Sequence, residues 1–165
     1  MKLFMLQSSF ICIIFSILIL AKGIKNPLTL IMSYPPKIRE RAEKLYSLSI
    51  NNYKKNHIIL KLLVMFFIPI IFSIIAYLSS YNSFESVFIY VFALTSAVNL
   101  YDLIILDIVI FCNTNIFIIK GTEDMIKEYK NPMHHIRGFF IGIIICAFIS
   151  LISALIVYLF NNFYK

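Results

Sequence analysis

The sequence is poor in charged residues and has only three cysteines. Charged side chains make up 14% of the 165 residues, whereas hydrophobic ones make up 61%. A soluble domain of this length has too little interior to bury so many apolar side chains, which excludes an ordinary soluble fold. Cys12, Cys112 and Cys146 form no CxxC pair, and their odd number argues against a disulfide framework or a zinc knuckle.

The sequence motifs of several enzyme classes are also missing. It has no GxSxG motif, no glycine-rich phosphate-binding loop, and no HExxH or HxxxH spacing. The net charge of +7 comes without a basic stripe interleaved with exposed aromatic residues, which argues against nucleic-acid binding. The sequence therefore predicts no metal, no cofactor and no nucleic-acid partner.

Long apolar runs dominate what remains. A helix needs about 20 apolar residues to cross a lipid bilayer, and four runs are suitable: residues 3–21, 58–78, 87–111 and 134–160. We predict an all-α membrane protein, with one integral membrane domain over residues 1–165. Four transmembrane helices form a bundle in this prediction, and segments 22–57 and 112–133 each contribute a short cytoplasmic helix.

The distribution of basic residues predicts the orientation of the chain. Lys and Arg are concentrated in residues 22–57 and 112–137, whereas residues 79–86 contain Glu85 and no basic residue. Because basic loops stay on the cytoplasmic side, both termini are predicted to be extracellular, in the cell membrane. Residues 1–23 also resemble a secretory signal peptide, but cleavage would leave the basic segment outside. We therefore expect an uncut first helix.

The two basic segments have helical patterns. Pro36 suits the first turn of a helix, in which Ile38, Ala42 and Leu45 form an apolar face. This helix either docks on the anionic inner leaflet or packs on the protein's own helix ends. In the second segment, Thr122 is the predicted helix N-cap. The first-turn acids and the start of the next helix then follow: Glu123, Asp124, Asn131 and Pro132.

Several of these features occur together in one known group of proteins. They are Pro35-Pro36 before Ile38, Arg39 and Arg41; Asn99-Leu100-Tyr101-Asp102 with Asp107; "GTEDM" at 121–125, with Gly121, Thr122, Glu123 and Asp124; and His134 and His135 before Gly138 and Gly142. On these motifs, the chain after residue 24 resembles a family of small uncharacterised four-span membrane proteins from Gram-positive bacteria. The resemblance implies a bacterial plasma-membrane protein and no particular activity.

The third apolar run contains the unusual polar residues. Thr95, Asn99 and Asp102 share one face of an α-helix, and Asp107 lies about 140° around the helix from Asp102. A carboxylate at this depth must be protonated, paired or hydrated. The candidate partners of Asp102 are Lys61, His134, His135 and Arg137. The cluster is either a polar clamp between helices, a proton or cation relay, or part of a small active site.

The fourth run carries a ridge of small residues that lets another helix approach closely. Its members are Gly138, Gly142, Cys146, Ser150 and Ala154. This ridge predicts helix packing within the chain or a homodimer. In the second run, Pro69 predicts a kink, with Ser73 able to satisfy freed backbone groups.

Taken together, these features predict a multi-pass protein that is a non-enzymatic accessory or partner-binding component, with the lipid bilayer and another membrane protein or a second copy as partners. One alternative is an ion-coupled transporter or channel subunit that uses Asp102. Another is a membrane enzyme that acts on a lipid or quinone.

Overall fold

The computed structural model describes residues 2–163, which form helices and turns with no β-strand in this range. Four helices are long and apolar enough to cross a membrane, which confirms the coarse prediction. They are α1 (Lys2–Lys25), α3 (Ser47–Leu78), α4 (Phe84–Tyr101), which continues as a π-helix (Asp102–Phe111), and α6 (Met133–Phe163). Met1, Tyr164 and Lys165 belong to the predicted 1–165 domain but lie outside the described residues.

The shorter elements lie in the two connections that the sequence marks as basic. They are a 3₁₀-helix (Pro27–Ser33), α2 (Pro36–Leu45), a second 3₁₀-helix (Glu123–Met125) and α5 (Ile126–Tyr129). Buried residues of both connections form one hydrophobic cluster, so the connections lie at the same end of the molecule. We call residues 26–46 and 112–132 the basic end, and residues 79–83 the short loop.

Helix α3 begins well before residue 58, where the predicted span starts. Its 32 residues correspond to about 48 Å, against about 30 Å for the hydrocarbon core. The added turns pack at the basic end: Ile50 is 1% exposed, and Asn26 donates a hydrogen bond to the Tyr53 hydroxyl at 3.0 Å. The first turns of α3 therefore belong structurally to the basic end.

Helix α6 is packed along α4 and α3, and its ridge of small residues forms much of this contact. Cys146, Ser150 and Ala154 are buried, and a Cβ added to Gly142 would collide with the Asn99 carboxamide. Four of the five ridge residues thus pack inside the chain, whereas Gly138 is exposed and an added Cβ there would meet nothing within 4 Å. A homodimer stays a prediction.

Hydroxyl groups connect α3 with α6 near the predicted proline kink. Ser73 and Ser153 both donate to the Pro69 carbonyl, at 2.7 and 2.9 Å. The Ser73 hydroxyl thus bonds to the carbonyl of Pro69, and not to the carbonyl one turn earlier that the proline leaves without its helical donor. The pair of hydroxyls holds the two helices together at a position where proline removes a backbone donor.

Helix α1 makes polar side-chain contacts with the rest of the molecule near its start and near its middle. The Gln7 amide donates to Ser79 Oγ at 3.0 Å and accepts from the Tyr90 hydroxyl. Ser16 shares a hydrogen bond of 2.9 Å with the Tyr101 hydroxyl. These side-chain contacts connect α1 with α4 and with the end of α3; an uncut first helix stays a prediction.

At the basic end, two of the three residues predicted for the apolar face of α2 are covered by the protein itself. Ile38 and Ala42 are fully buried, whereas Leu45 is 50% exposed. Lys37, Arg41 and Lys44 are exposed as well. The structure therefore favours packing on the protein's own helix ends over insertion of this face into the inner leaflet. Surface ion pairs join the two basic-end segments, with Lys37 Nζ 2.6 Å from Glu128 Oε1.

Two tyrosines of this end give a matched pair for mutation. Tyr34 is fully buried and donates to the Phe117 carbonyl at 2.7 Å, whereas Tyr46 makes a similar bond of 3.0 Å to the Lys120 carbonyl in an exposed position. Burial and the nearby Tyr129 raise the pKa of Tyr34, so its hydroxyl stays a donor. Tyr34→Phe should lower the free energy of unfolding by about 1–3 kcal/mol, because the carbonyl stays buried without a donor.

Tyr46→Phe should cost less, because water replaces the lost hydroxyl. Far-UV circular dichroism during unfolding in detergent measures both effects, and suits a chain without Trp. Equal losses in the two variants would contradict the burial argument.

Candidate functional site

A cavity of about 310 Å³ lies between α6, the π-helix and the Pro27–Ser33 turn at the basic end. Its polar lining consists of Ser33, Asn99, Asp102, Asp107, His134 and His135. Five of these belong to the predicted polar cluster, and the structure brings them together. The sixth predicted member, Arg137, is exposed and lines a neighbouring cavity instead.

The best-defined contact of the cavity joins Asp107 and His135. His135 Nδ1 lies 2.9 Å from Asp107 Oδ1, and the side chains are 3% and 24% exposed, respectively. Of the two adjacent histidines, His135 is thus fixed inward, whereas His134 is half-buried at the cavity wall. A histidine does pair with an aspartate, but the aspartate is Asp107 rather than Asp102.

The relation between the two aspartates differs from the α-helical expectation. Residues 102–111 form a π-helix, in which backbone bonds connect residues i and i+5; the Cys112 N–H donates to the Asp107 carbonyl at 2.9 Å. Asp102 and Asp107, five residues apart, therefore come to the same side and line the same cavity. The separation of about 140° was wrong because it assumed 3.6 residues per turn.

Asp102 differs from Asp107 in its contacts. Within residues 2–163, its carboxylate accepts no hydrogen bond and lies in no ion pair within 4.0 Å. The described ion pairs use other acids: Lys37–Glu128, Arg41–Asp124, Lys54–Glu43 and His135–Asp107. Lys61 and Arg137, two of its predicted partners, are exposed. The clamp through Asp102 is therefore not formed, and this carboxylate faces the cavity.

Asn99 is held in place by the last helix. Its carboxamide nitrogen donates to the Phe139 carbonyl at 3.1 Å, and Gly142 provides the space that the side chain occupies. The carboxamide oxygen is the atom that lies closest to Gly142, while the side chain as a whole lines the cavity. Asn99 can therefore occupy this position only because residue 142 is a glycine.

Two smaller cavities adjoin this site. One of about 70 Å³ lies on the α1 side and shares Ser33, Asp102 and Asp107 with the main cavity. The other, of about 220 Å³, shares His134 and is also lined by Glu128 and Arg137. Asp102 and Asp107 therefore lie between the main cavity and the cavity on the α1 side. His134 lies between the main cavity and the cavity lined by Glu128 and Arg137.

Sequence reasoning missed Ser33, the one polar lining residue that lies outside the predicted cluster. It ends a 3₁₀-helix whose N-cap, Asn26, accepts a hydrogen bond from the Leu28 N–H at 3.0 Å. This Asn-Pro start is a readable turn signal. The sequence pattern gives no indication that the turn lies across the cavity from α6.

The motif Gly121 to Asp124 forms a turn separate from the cavity. Gly121 has a φ of +86°, and its N–H donates to Glu123 at 2.8 Å, which lowers the pKa of that exposed carboxyl. The predicted capping bond of Thr122 is not formed. Its buried hydroxyl instead donates to the Ile119 carbonyl and shares a 2.7 Å bond with Tyr129. The next helix does start as predicted, with Asn131 accepting from the Met133 N–H.

The chemistry of the cavity favours binding over catalysis. His135 has an acid, Asp107, and a thiol, Cys112, as polar neighbours. An acid, a base and a thiol are the groups that a cysteine nucleophile would need. However, the Cys112 side chain is buried in the hydrophobic cluster of the basic end and does not line the cavity. In the part of the chain that the structure describes, no group of three His, Cys, Asp or Glu residues can hold a metal ion.

Comparisons of this chain with protein-family models, with curated proteins and with solved structures found no match.

Proposed function

We propose that this chain is a multi-pass bacterial plasma-membrane protein, embedded as a four-helix bundle, that acts as a non-enzymatic binding component. Its ligand or partner contacts the basic end, which faces the cytoplasm. The observation that carries the proposal is the cavity with two carboxylates at this end. The resemblance to four-span membrane proteins of Gram-positive bacteria agrees with the location.

The proposed orientation is based on the charges of the two ends. Lys37, Arg41 and Lys44 project from α2 at the basic end, whereas the short loop carries no basic residue. Basic connections remain on the cytoplasmic side because their translocation is disfavoured. The cavity would then be reached from the cytoplasm or from the inner leaflet.

Binding is better supported than transport, because the described helices place no charged side chain between the cavity and the short loop, and the hydroxyls of Ser73, Ser150 and Ser153 on that side donate to backbone carbonyls. On that side, α3, α4 and α6 are joined by a cluster of buried apolar residues: Phe72, Ala76, Val87, Tyr90, Val91, Leu94, Ala154 and Val157. A path for ions through one chain needs polar groups or water along its length. Asp102 at the end of a blind cavity fits a ligand site instead.

The enzyme alternative has weaker support. The chain places one histidine between an acid and a thiol, but the thiol is inside the apolar cluster, where a substrate does not reach it. A nucleophile must lie beside the space that its substrate occupies.

Two measurements test the proposal. In the first, Asn82→Cys and Lys44→Cys variants in intact cells are treated with a membrane-impermeant maleimide; the native cysteines are buried, so their background is low. We expect labelling of Asn82→Cys in intact cells and of Lys44→Cys only after permeabilisation. The reverse pattern would contradict the orientation.

The second measurement is proton and cation flux into proteoliposomes. We expect wild-type protein to behave like empty liposomes. A pH-dependent flux that Asp102→Asn abolishes would contradict the binding proposal and support the transporter.

A further inference from the structure

We propose that the polar cavity binds a primary ammonium group, carried either by a small soluble amine or by the amine head group of a membrane lipid. This inference is built on the proposed binding function and specifies its ligand. Its starting point is that the cavity contains hydrogen-bond acceptors in excess of donors.

The free acceptors of the cavity are carboxylate oxygens. His135 uses one oxygen of Asp107, so the second remains. The carboxylate of Asp102 has both oxygens free of hydrogen bonds from the described residues. Asn99 also lines the cavity, but its carboxamide oxygen lies against Gly142. An ammonium group has three N–H donors, which these three carboxylate oxygens can accept.

The charges of the cavity indicate the same ligand. Asp102 and Asp107 lie close enough to repel each other, and the Asp107–His135 pair is the ion pair that the cavity contains among residues 2–163. An unpaired carboxylate at a partly buried position is costly unless it is protonated, hydrated or accompanied by a cation. A bound cation supplies the missing positive charge.

The nitrogens of His135 leave the remaining carboxylate oxygens of the cavity unsatisfied. Its Nδ1 lies 2.9 Å from one oxygen of Asp107, and its Nε2 is buried and makes no hydrogen bond within the described residues. The other polar neighbour of the imidazole is Cys112, in the hydrophobic cluster of the basic end. Buried polar groups are normally satisfied by protein, water or ligand, and within residues 2–163 the protein supplies no donor to Asp102.

The competing cations fit less well. A metal ion would need three or more suitably placed ligands, which residues 2–163 do not offer. A quaternary ammonium ion prefers an aromatic cage, and Phe139 is the aromatic residue of the cavity lining. The volume of about 310 Å³ is at the lower end of ligand pockets, which suits a short polar head group.

The test uses the full-length protein in phosphatidylcholine nanodiscs, with thermal unfolding and calorimetric titration as readouts. Ethanolamine should raise the unfolding temperature, and choline, which has no N–H donor, should not. Asp102→Asn should weaken ethanolamine binding about tenfold or more, because a charge-assisted bond is lost. Glu40→Gln, with the same change of charge at an exposed acid outside the cavity, should bind like wild type.

The two sources of the amine are separated by adding phosphatidylethanolamine to the nanodiscs. If the lipid is the ligand, it should stabilise wild type and compete with ethanolamine, and Arg137→Ala should weaken the lipid effect alone, because the lipid phosphate would reach that side chain. If the ligand is soluble, the lipid should have no effect.

Three results would overturn the inference. Choline could stabilise the protein as much as ethanolamine does, Asp102→Asn could bind ethanolamine with unchanged affinity, or wild type could bind neither ethanolamine nor phosphatidylethanolamine. The labelling experiment would be unaffected by these outcomes, so the proposed function would stand. An Asp102-dependent proton flux would overturn both.

Discussion

Asp107→Ala is expected to lower the free energy of unfolding by about 3 kcal/mol, which is the typical loss when one partner of a buried ion pair is removed. The His135 side chain is 3% exposed, and its Nδ1 would lose the acceptor that lies 2.9 Å away. Because Nε2 makes no hydrogen bond within the described residues, the imidazole would keep only its contact with the buried Cys112. Chemical denaturation in detergent, followed by far-UV circular dichroism, measures the loss.

Glu128→Ala is the matched control, since it removes the acid of an ion pair with an even shorter contact. Lys37 Nζ and Glu128 Oε1 are 2.6 Å apart, but the lysine side chain is 71% exposed. Exposed pairs contribute about 0–1 kcal/mol, so this variant should unfold nearly like wild type. Asp107→Asn, which keeps an acceptor oxygen, should fall between the two. A loss in Glu128→Ala as large as that in Asp107→Ala would show that burial does not determine the effect.

The four long helices could be predicted because their signal is local. Each apolar run is contiguous, and a helix is the structure that satisfies its own backbone groups in an apolar medium. The polar cluster was also predictable as a set, because Asn99, Asp102 and the two histidines lie at the same predicted depth on neighbouring helices. Depth follows from counting residues along a helix.

The pairing within that cluster could not be predicted, because it depends on helix winding. The stretch Asp102–Phe111 is apolar apart from its two aspartates and contains neither Gly nor Pro, so nothing in its composition marks a π-helix. The number of residues per turn determines whether Asp107 lies on the same side of the helix as Asp102 or on another side. The partner of His135 was misassigned for this reason.

The packing of the basic end was undetermined for a different reason. The pattern of Ile38 and Ala42 shows that one face of α2 is apolar, but the same pattern suits a lipid surface and a protein surface. What covers that face comes from residues far away in the chain, as in the hydrogen bond from Tyr34 to Phe117. Such contacts leave no periodic signal in either segment.

Gly142→Ala should destabilise the protein, whereas Gly138→Ala on the same helix should not. A Cβ at position 142 would overlap the Asn99 carboxamide, whose nitrogen is held by Phe139, and a Cβ at 138 would meet nothing within 4 Å. Overpacking of this kind costs about 1–3 kcal/mol. At the open position, alanine gains up to about 1 kcal/mol over glycine from helix propensity, so the two variants should shift unfolding in opposite directions.

Asn99→Ala supplies the decisive comparison, because it removes the group that the new methyl would hit. In that background, Gly142→Ala should cost little, so the double variant should be more stable than the sum of the single losses predicts. Additive losses would mean that the overlap lies elsewhere. Because Asn99 lines the cavity, the same cycle should appear in ethanolamine affinity. Gly142→Ala should push the Asn99 side chain from its place and weaken binding. In the Asn99→Ala background no side chain is left to displace, so Gly142→Ala should change the affinity no further.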